Sequence, residues 1–248
     1  MADIVNLAIP YFGLIFIGFA CGKTRGLPES GLAWMNFFLL YVSLPALLFG
    51  IMSKTPFSEL NNPPFLIAST LGTISAFVLA MVTGRLIGDL SLRKATMAGL
   101  AGAYGNIGYM GPGLALAVLG AKAAAPTALI FCCDSIFLFS IVPLLIALTD
   151  REHRSLLHTF GIAARQIVLN PLIVFALMLL LGPFAQPWAA TAVLMASLPP
   201  ALNVFVIARQ NNTWIEPASV AVLIGTFASV VTLTSVMWLI QSERLAFP

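Results

Sequence analysis

The polar side chains that could bind a solute lie in two short stretches, GAYGNIGYMGPG over residues 102–113 and MASLPPALN over residues 195–203. They are hydroxyl and amide groups: Tyr104, Asn106, Tyr109, Ser197 and Asn203. Neither stretch contains an acid. Hydrogen-bond donors without carboxylates suit an anionic or polar solute better than a metal ion. We therefore predict a binding site for a small anion, with no catalytic residue and no metal ligand.

The composition places these two stretches in a membrane. Of the 248 residues, 60% are hydrophobic and 8% are charged, and the mean hydropathy is +0.99. Soluble domains carry about 25% charged residues. The apolar runs recur along the whole chain and are long enough to cross a bilayer, which takes roughly 20 helical residues. We predict an all-α, polytopic membrane protein without a cofactor, and the scattered basic residues predict no nucleic-acid partner.

The apolar runs predict about eight transmembrane helices. Their predicted bounds are 5–22, 32–52, 64–88, 95–119, 124–149, 158–181, 188–208 and 217–240. Only short polar or Pro/Gly-rich connectors separate them. We divide the chain into a first repeat of five spans, residues 1–149, and a second repeat of three spans, residues 150–248.

The distribution of lysine and arginine predicts the orientation of the spans. The odd-numbered loops hold Lys23, Arg25, Arg93, Lys94, Arg151, Arg154 and Arg209. The even-numbered loops and the two termini hold Lys54, Lys122 and Arg244. Because positively charged loops stay in the cytoplasm, we predict that both termini face outward.

Two of the predicted spans contain residues that interrupt a helix. Gly105, Gly108 and Pro112 fall in the fourth span, and Pro199 and Pro200 fall in the seventh. Non-helical backbone at membrane depth is tolerated where it is buried in protein or lines a water-filled cavity. With opposite directions across the membrane, the two interrupted helices indicate an inverted-repeat transporter that binds its solute at the breaks.

The predicted substrate-binding residues surround these breaks. They are Tyr104, Gly105, Asn106, Gly108, Tyr109, Ser197 and Asn203. The half-helices that follow the breaks are expected to start near Gly113 and Ala201, where free N–H groups and the positive ends of the helix dipoles would face an anion. Since a helix end contributes only about 1–2 kcal/mol to a bound charge, we also expect water in the pocket.

Asp134 is the acid that lies well inside a predicted span. Carboxylates are costly at membrane depth and commonly mark proton or ion pathways. One interpretation is a proton-coupling residue. The other is a structural carboxyl group that is hydrogen-bonded between helices or kept wet by a nearby aqueous cavity.

Several of these segments resemble the auxin efflux carrier family, which includes the plant PIN proteins and bacterial permeases for malonate and malate. The similar segments are YVSLPALLF, GAYGNIGYMGPGLALAVLG, NPLI and LPPALNVFVIARQNN. The resemblance extends over nearly the whole chain. It implies an inner-membrane transporter of organic anions, whose site here would include Asn106 and Asn203 and whose break residues would be Pro112, Pro199 and Pro200.

The resemblance also implies ten helices in two inverted repeats of five, two more than this chain provides. The two missing helices would lie between Arg154 and Trp188, in the second repeat. Losing one pair of spans preserves the direction of the later helices, which agrees with the charge distribution. A homodimer of the family's kind would lose contacts with these helices, and the pocket would lose rigidity.

These observations favour a secondary transporter of small organic anions such as dicarboxylates. The chain has no nucleotide-binding motif through which ATP hydrolysis could drive transport. An alternative is a degenerate or regulatory membrane protein that keeps the breaks and has lost turnover. An intramembrane enzyme is disfavoured because no Ser/His pair or pair of aspartates lies at membrane depth.

Overall fold

The part of the chain that the computed structural model describes is mainly helical. That part comprises residues 2–25, 29–38, 61–148, 174–180 and 184–242 with the isolated positions 42, 43, 46, 49, 50, 53 and 244. The helices are α1 (Ala2–Arg25), α2 (Glu29–Phe38), α3 (Pro63–Leu86), α4 (Leu92–Ala103), α5 (Gly111–Leu119), α6 (Ala124–Ala147), α7 (Gln186–Ala196), α8 (Asn203–Gln210) and α9 (Ile215–Gln241). Residues 174–180 are also helical, and the 3-10 turn Gly120–Ala123 joins α5 to α6.

Local sequence explains where the central helices begin. The Asn62 side chain accepts a hydrogen bond from the Phe65 backbone N–H at 3.3 Å, and prolines occupy the first turn of α3. The Ser91 hydroxyl caps α4 by accepting from the Lys94 backbone N–H at 3.5 Å. Such caps satisfy backbone donors that a helix start leaves unpaired. Proline suits the first turn because its missing N–H would have no helical partner there.

The surface of the described residues is strongly apolar. Large side chains such as Leu14, Ile136, Leu180 and Val231 are between 69% and 77% exposed. By length and composition, three helical stretches could cross a membrane: Pro63–Leu86, Gly111–Ile146 and Ile215–Gln241. Exposed apolar surface on this scale needs to be covered by lipid or by another protein. A membrane-protein fold accounts for it, because lipid then covers this surface.

Four predicted spans coincide with single continuous helices. The spans 5–22, 64–88, 124–149 and 217–240 correspond to α1, α3, α6 and α9. The span 32–52 begins within α2, but much of its remainder and most of the span 158–181 lie outside the described residues. The total of eight spans and the inverted relation of residues 1–149 to 150–248 therefore stay predictions.

The other two predicted spans, 95–119 and 188–208, are interrupted. The first is divided into α4 and α5, and the second into α7 and α8. The Arg93 guanidinium, near the start of α4, donates to the Asn211 backbone carbonyl at the end of α8, at 2.7 Å. The start of α4 therefore lies beside the end of α8, and these two half-helices share one side of the break.

Helix α3 packs closely against α4 and supports the break from behind. A Cβ atom on Gly99 would lie 3.0 Å from the Phe77 backbone oxygen, and one on Gly84 would lie 3.4 Å from the Ala98 Cβ. Small residues of this kind let two helix backbones approach closely, as in many membrane proteins. The close contact holds α4 firmly against α3.

Candidate functional site

The two interruptions cross and hydrogen-bond to each other. Gly105 and Pro200 form an antiparallel β-bridge. The Asn106 backbone N–H donates to the Pro199 carbonyl at 2.7 Å, and the Ala201 N–H donates to the Tyr104 carbonyl at 2.8 Å. Each break thus satisfies backbone groups that the other has freed, as a low-dielectric environment requires. We call residues 104–110 and 197–202, together with Asn203, the crossing.

Asn106 shapes the first break with both its backbone and its side chain. Its carbonyl accepts from the N–H groups of Met110 at 3.1 Å and Gly111 at 3.0 Å. Its side-chain oxygen accepts from the Tyr109 N–H at 3.3 Å. Asparagine commonly closes turns in this way. With that oxygen engaged, the Nδ2 group is the part of the side chain that can donate to a ligand.

These bonds change how an anion could be held. The half-helices begin at Gly111 and Asn203, two residues from the positions expected near Gly113 and Ala201. The amides of Asn106, Tyr109, Met110 and Gly111 all donate within the crossing. The helix dipoles remain, but direct contacts to a ligand fall mainly to side chains.

Asn203 connects the second break to the first. Its Nδ2 group donates to the Tyr104 hydroxyl at 3.2 Å. Tyr104 is only 3% exposed, and its ring meets that of Phe139 edge to face with centroids 5.6 Å apart. The packed ring fixes the hydroxyl that orients Asn203. Two residues that sequence reasoning placed in the site are therefore in direct contact.

A cavity of about 420 Å³ reaches Asn203 from one side of the crossing. It lies between α6 and α8 and is lined by Leu138, Phe139, Val142, Pro143, Asn203, Val206, Ile207, Gln210 and Asn211. Asn203 is at the start of α8, and Gln210 and Asn211 are at its end. Binding pockets for small molecules commonly have volumes of about 300–1,000 Å³, with apolar walls and a few polar groups. This cavity fits that description.

The remaining predicted binding residues have varied surroundings. Gly105 faces α7, where a Cβ would lie 3.3 Å from the Met195 carbonyl oxygen. Ser197 is fully buried and its hydroxyl donates to the Leu194 carbonyl at 2.7 Å, so its hydrogen is used at the end of its own helix. Gly108 is part of the first turn after the bridge, partly exposed. The Tyr109 hydroxyl is buried with no hydrogen-bond partner within the described residues.

The three prolines occupy different parts of the breaks. Pro112 lies in the first turn of α5, where it favours the start of the second half-helix. Pro199 and Pro200 lie between α7 and α8, within the crossing. Proline has no N–H group to donate. The Pro199 carbonyl accepts from the Asn106 N–H, and the Ala201 N–H, just after Pro200, donates the other bond of the bridge.

Asp134 lies on α6, beside a second and much smaller cavity that also reaches Gly105. Ser69 and Thr73 of α3 line the same cavity. Sequence reasoning missed these two residues because serine and threonine are common in membrane helices. Their four-residue spacing, which places both on one face of a helix, could have revealed them. Among the described residues, no three His, Cys, Asp or Glu side chains lie close enough to hold a metal ion.

Comparison with known proteins identifies the family. The profile of the membrane transport protein family matches residues 3–155. A Rhizobium meliloti (strain 1021) protein, provisionally named as a malonate transporter, is 34% identical over an alignment of 314 residues that covers 99% of this chain and 98% of the relative.

That alignment is longer than the 248 residues of this chain. Several dozen positions of the relative therefore have no counterpart here, enough for two membrane spans. The profile match and the relative agree on the family. The chain belongs to the membrane transport protein family, that of the auxin efflux carriers.

Proposed function

We propose that this chain is a secondary transporter that carries small organic anions, dicarboxylates such as malonate, across the inner membrane by alternating access. The observation that carries the proposal is the hydrogen-bonded crossing, with Asn203 at the inner end of a cavity of about 420 Å³. The name of the Rhizobium meliloti relative supports the choice of malonate as the first substrate to test.

The chemistry of the crossing suits a carboxylate. The side-chain amides of Asn106 and Asn203 can donate hydrogen bonds, and α5 and α8 both direct the positive ends of their dipoles toward the crossing. Each helix end contributes about 1–2 kcal/mol to an anion, and a hydrogen bond to a charged group about 1.5–3 kcal/mol. Water in the cavity would supply the rest of the solvation.

We propose that the cavity opens to the cytoplasm. It ends near Gln210 and Asn211, and Arg93 contacts the Asn211 carbonyl at that side of the protein. This side of the protein also holds the basic residues Arg93, Lys94 and Arg209. Loops rich in lysine and arginine stay in the cytoplasm. The structure would then represent an inward-facing state, and both termini would face outward.

For transport, the crossing and its half-helices would rock against the remaining helices around a bound anion. The division into residues 1–149 and 150–248 provides the two repeats for this motion, and we place the missing pair of spans in the second. A homodimer of this chain would rest on fewer contacts between its subunits, because the missing pair of spans could not contribute.

A second candidate is a protein of the same fold that binds an anion without carrying it. The observation that favours it is the set of several dozen positions that the relative has and this chain lacks. Counterflow in proteoliposomes separates the two. Saturable malonate binding without exchange of labelled for unlabelled malonate would support the non-transporting protein.

The site is tested by replacing Asn203 with alanine and measuring malonate counterflow. Loss of a hydrogen bond to a charged ligand predicts a half-saturating concentration about 10- to 150-fold higher. Gln241→Ala is the matched control, since it removes an exposed side-chain amide at the end of α9, away from the residues that line the cavity. If the half-saturating malonate concentration is the same in both variants, Asn203 is not part of the site.

A further inference from the structure

The carboxylate of Asp134 has no compensating charge among the described residues that line its cavity. Asp134 is 5% exposed, and its Oδ1 atom is buried without a hydrogen-bond partner within the described part of the chain. Burying an ionised carboxylate is strongly unfavourable unless a positive charge or several donors compensate it. The Thr73 hydroxyl is the side-chain group that interacts with this carboxyl as a hydrogen-bonding partner. One hydroxyl is not enough to stabilise a full charge.

The cavity beside Asp134 is the size of a single small ligand. The volume open to the centre of a water molecule is about 20 Å³, and a site needs at least about 10–15 Å³ by this measure to hold one water. Its lining residues are Ser69, Thr73, Ala103, Gly105, Ile107, Ile130, Asp134, Val174, Ala192, Met195 and Ala196. Three of these described residues have side-chain oxygens, and none of them is basic.

The oxygens of this cavity are mainly acceptors. The Ser69 hydroxyl donates to the Leu66 carbonyl at 3.3 Å. The single hydrogen of the Thr73 hydroxyl goes either to the Ser69 carbonyl, 3.5 Å away, or to the Asp134 carboxyl. A hydroxyl that donates to its own helix still has lone pairs to offer. With the Asp134 carboxylate they form a cluster of hard oxygen ligands with one negative charge, which suits a small cation of one positive charge.

Among the described residues that line the cavity, none carries a cationic group that faces this carboxylate. Among the described residues, the titratable groups that interact electrostatically with Asp134 are Tyr104, directly after α4, and Cys133 from its own helix. Helix α3 contributes hydroxyls, and α7 contributes Ala192, Met195 and Ala196. Tyrosine and cysteine are neutral near pH 7. The described lining therefore supplies no charge that compensates Asp134.

We infer that this cavity binds one monovalent cation, either a proton carried on the Asp134 carboxyl or Na⁺ held by Asp134, Ser69 and Thr73. The cation would also promote anion binding at the crossing, a coupling that rests on the proposed function. Gly105 lines the cavity and is bridged to Pro200. Its neighbour Tyr104 interacts with Asp134 and accepts from Asn203. Neutralising Asp134 would remove a negative charge close to the bound anion, and linkage makes the coupling reciprocal.

Thermal unfolding of the purified full-length chain, without malonate, tests the cation site by itself. For Na⁺, the midpoint should rise with NaCl replacing choline chloride at constant ionic strength, and Ser69→Ala should raise the half-maximal Na⁺ concentration about tenfold. For a proton, the midpoint should rise as the pH falls, independently of Na⁺ and of Ser69→Ala. In either case Asp134→Asn should abolish the dependence.

Glu216→Gln is the matched control, because Glu216 is an exposed carboxylate in the first turn of α9. If Asp134→Asn does not fold, Thr73→Val provides a second variant of similar shape that removes an oxygen ligand. Stability that is indifferent to both Na⁺ and pH in the wild type would overturn the inference. So would a dependence that Asp134→Asn retains.

Malonate uptake into proteoliposomes then tests the coupling. An imposed Na⁺ or proton gradient should drive uptake in the wild type, and the same gradient should have no effect in Asp134→Asn. Cation-dependent stability without malonate uptake under any gradient would refute the proposed function and leave the cation site standing. Malonate uptake whose dependence on Na⁺ and pH is unchanged in Asp134→Asn would refute the cation site and leave the proposed function standing.

Discussion

Replacing Asn106 with alanine or with aspartate separates two roles that the structure combines in one side chain. The Oδ1 atom accepts from the Tyr109 N–H at 3.3 Å and so closes the first break. The Nδ2 group is the donor that we assign to the anion. Alanine removes both groups. Aspartate keeps an acceptor for Tyr109 but replaces the donor with a second oxygen that carries negative charge.

The expected effect on stability follows from the hydrogen bond at Tyr109. Leaving a buried donor unpaired costs about 1–3 kcal/mol. Because the bond is long and only part-buried, we expect Asn106→Ala to lower the free energy of unfolding by about 1 kcal/mol. Asn106→Asp should unfold at a temperature close to that of the wild type. Thermal unfolding in detergent measures both variants.

The expected effect on binding is the same in direction for both variants. Loss of a donor to a carboxylate should weaken malonate affinity about 10- to 150-fold, and aspartate adds repulsion. Affinity is measured by titration of malonate into the purified protein. An aspartate variant that unfolds as early as the alanine variant would refute the capping role. An aspartate variant with wild-type affinity would refute the donor role.

Two further variants probe the supports of the crossing. Tyr104→Phe removes the hydroxyl that accepts from Asn203 at 3.2 Å; we expect malonate affinity to fall about 2- to 10-fold, the effect of one neutral hydrogen bond, and unchanged affinity would contradict this. Gly99→Leu places a side chain where a Cβ would lie 3.0 Å from the Phe77 carbonyl oxygen, and overpacking of about 1–3 kcal/mol should lower the unfolding midpoint. Gly13→Leu is its control, because a Cβ there meets nothing within 4 Å, and equal midpoints would contradict close packing.

The interruptions could be predicted from sequence because they depend on local chemistry. Glycine and proline disfavour helix over residues 104–111 and 199–200 whatever surrounds them. The residues at which the half-helices begin are harder to predict from sequence. Pro112 starts α5 rather than breaking it, since its missing N–H suits a first turn. Asn106 accepts from the amides of Tyr109, Met110 and Gly111 at the start of α5, the end of the half-helix at which we expected free N–H groups.

Contacts between distant segments could not be read from sequence. The Ser197 hydroxyl has the right chemistry for a ligand, but it donates to Leu194 in its own helix. The bond from Asn203 to Tyr104 joins residues 99 positions apart. Asp134 was recognisable as unusual, whereas its neighbours Ser69 and Thr73 emerge only from the packing of α3 against α6. Side-chain partners depend on which helices meet, and the sequence pattern does not specify that.

The most direct test is an experimental structure of the protein with malonate bound in a lipid environment. We predict two interrupted helices joined by the bridge between Gly105 and Pro200, with a carboxylate of malonate within hydrogen-bonding distance of the Asn203 side chain. Continuous helices over residues 92–119 and 186–210, or malonate bound away from the crossing, would contradict the proposed transport mechanism.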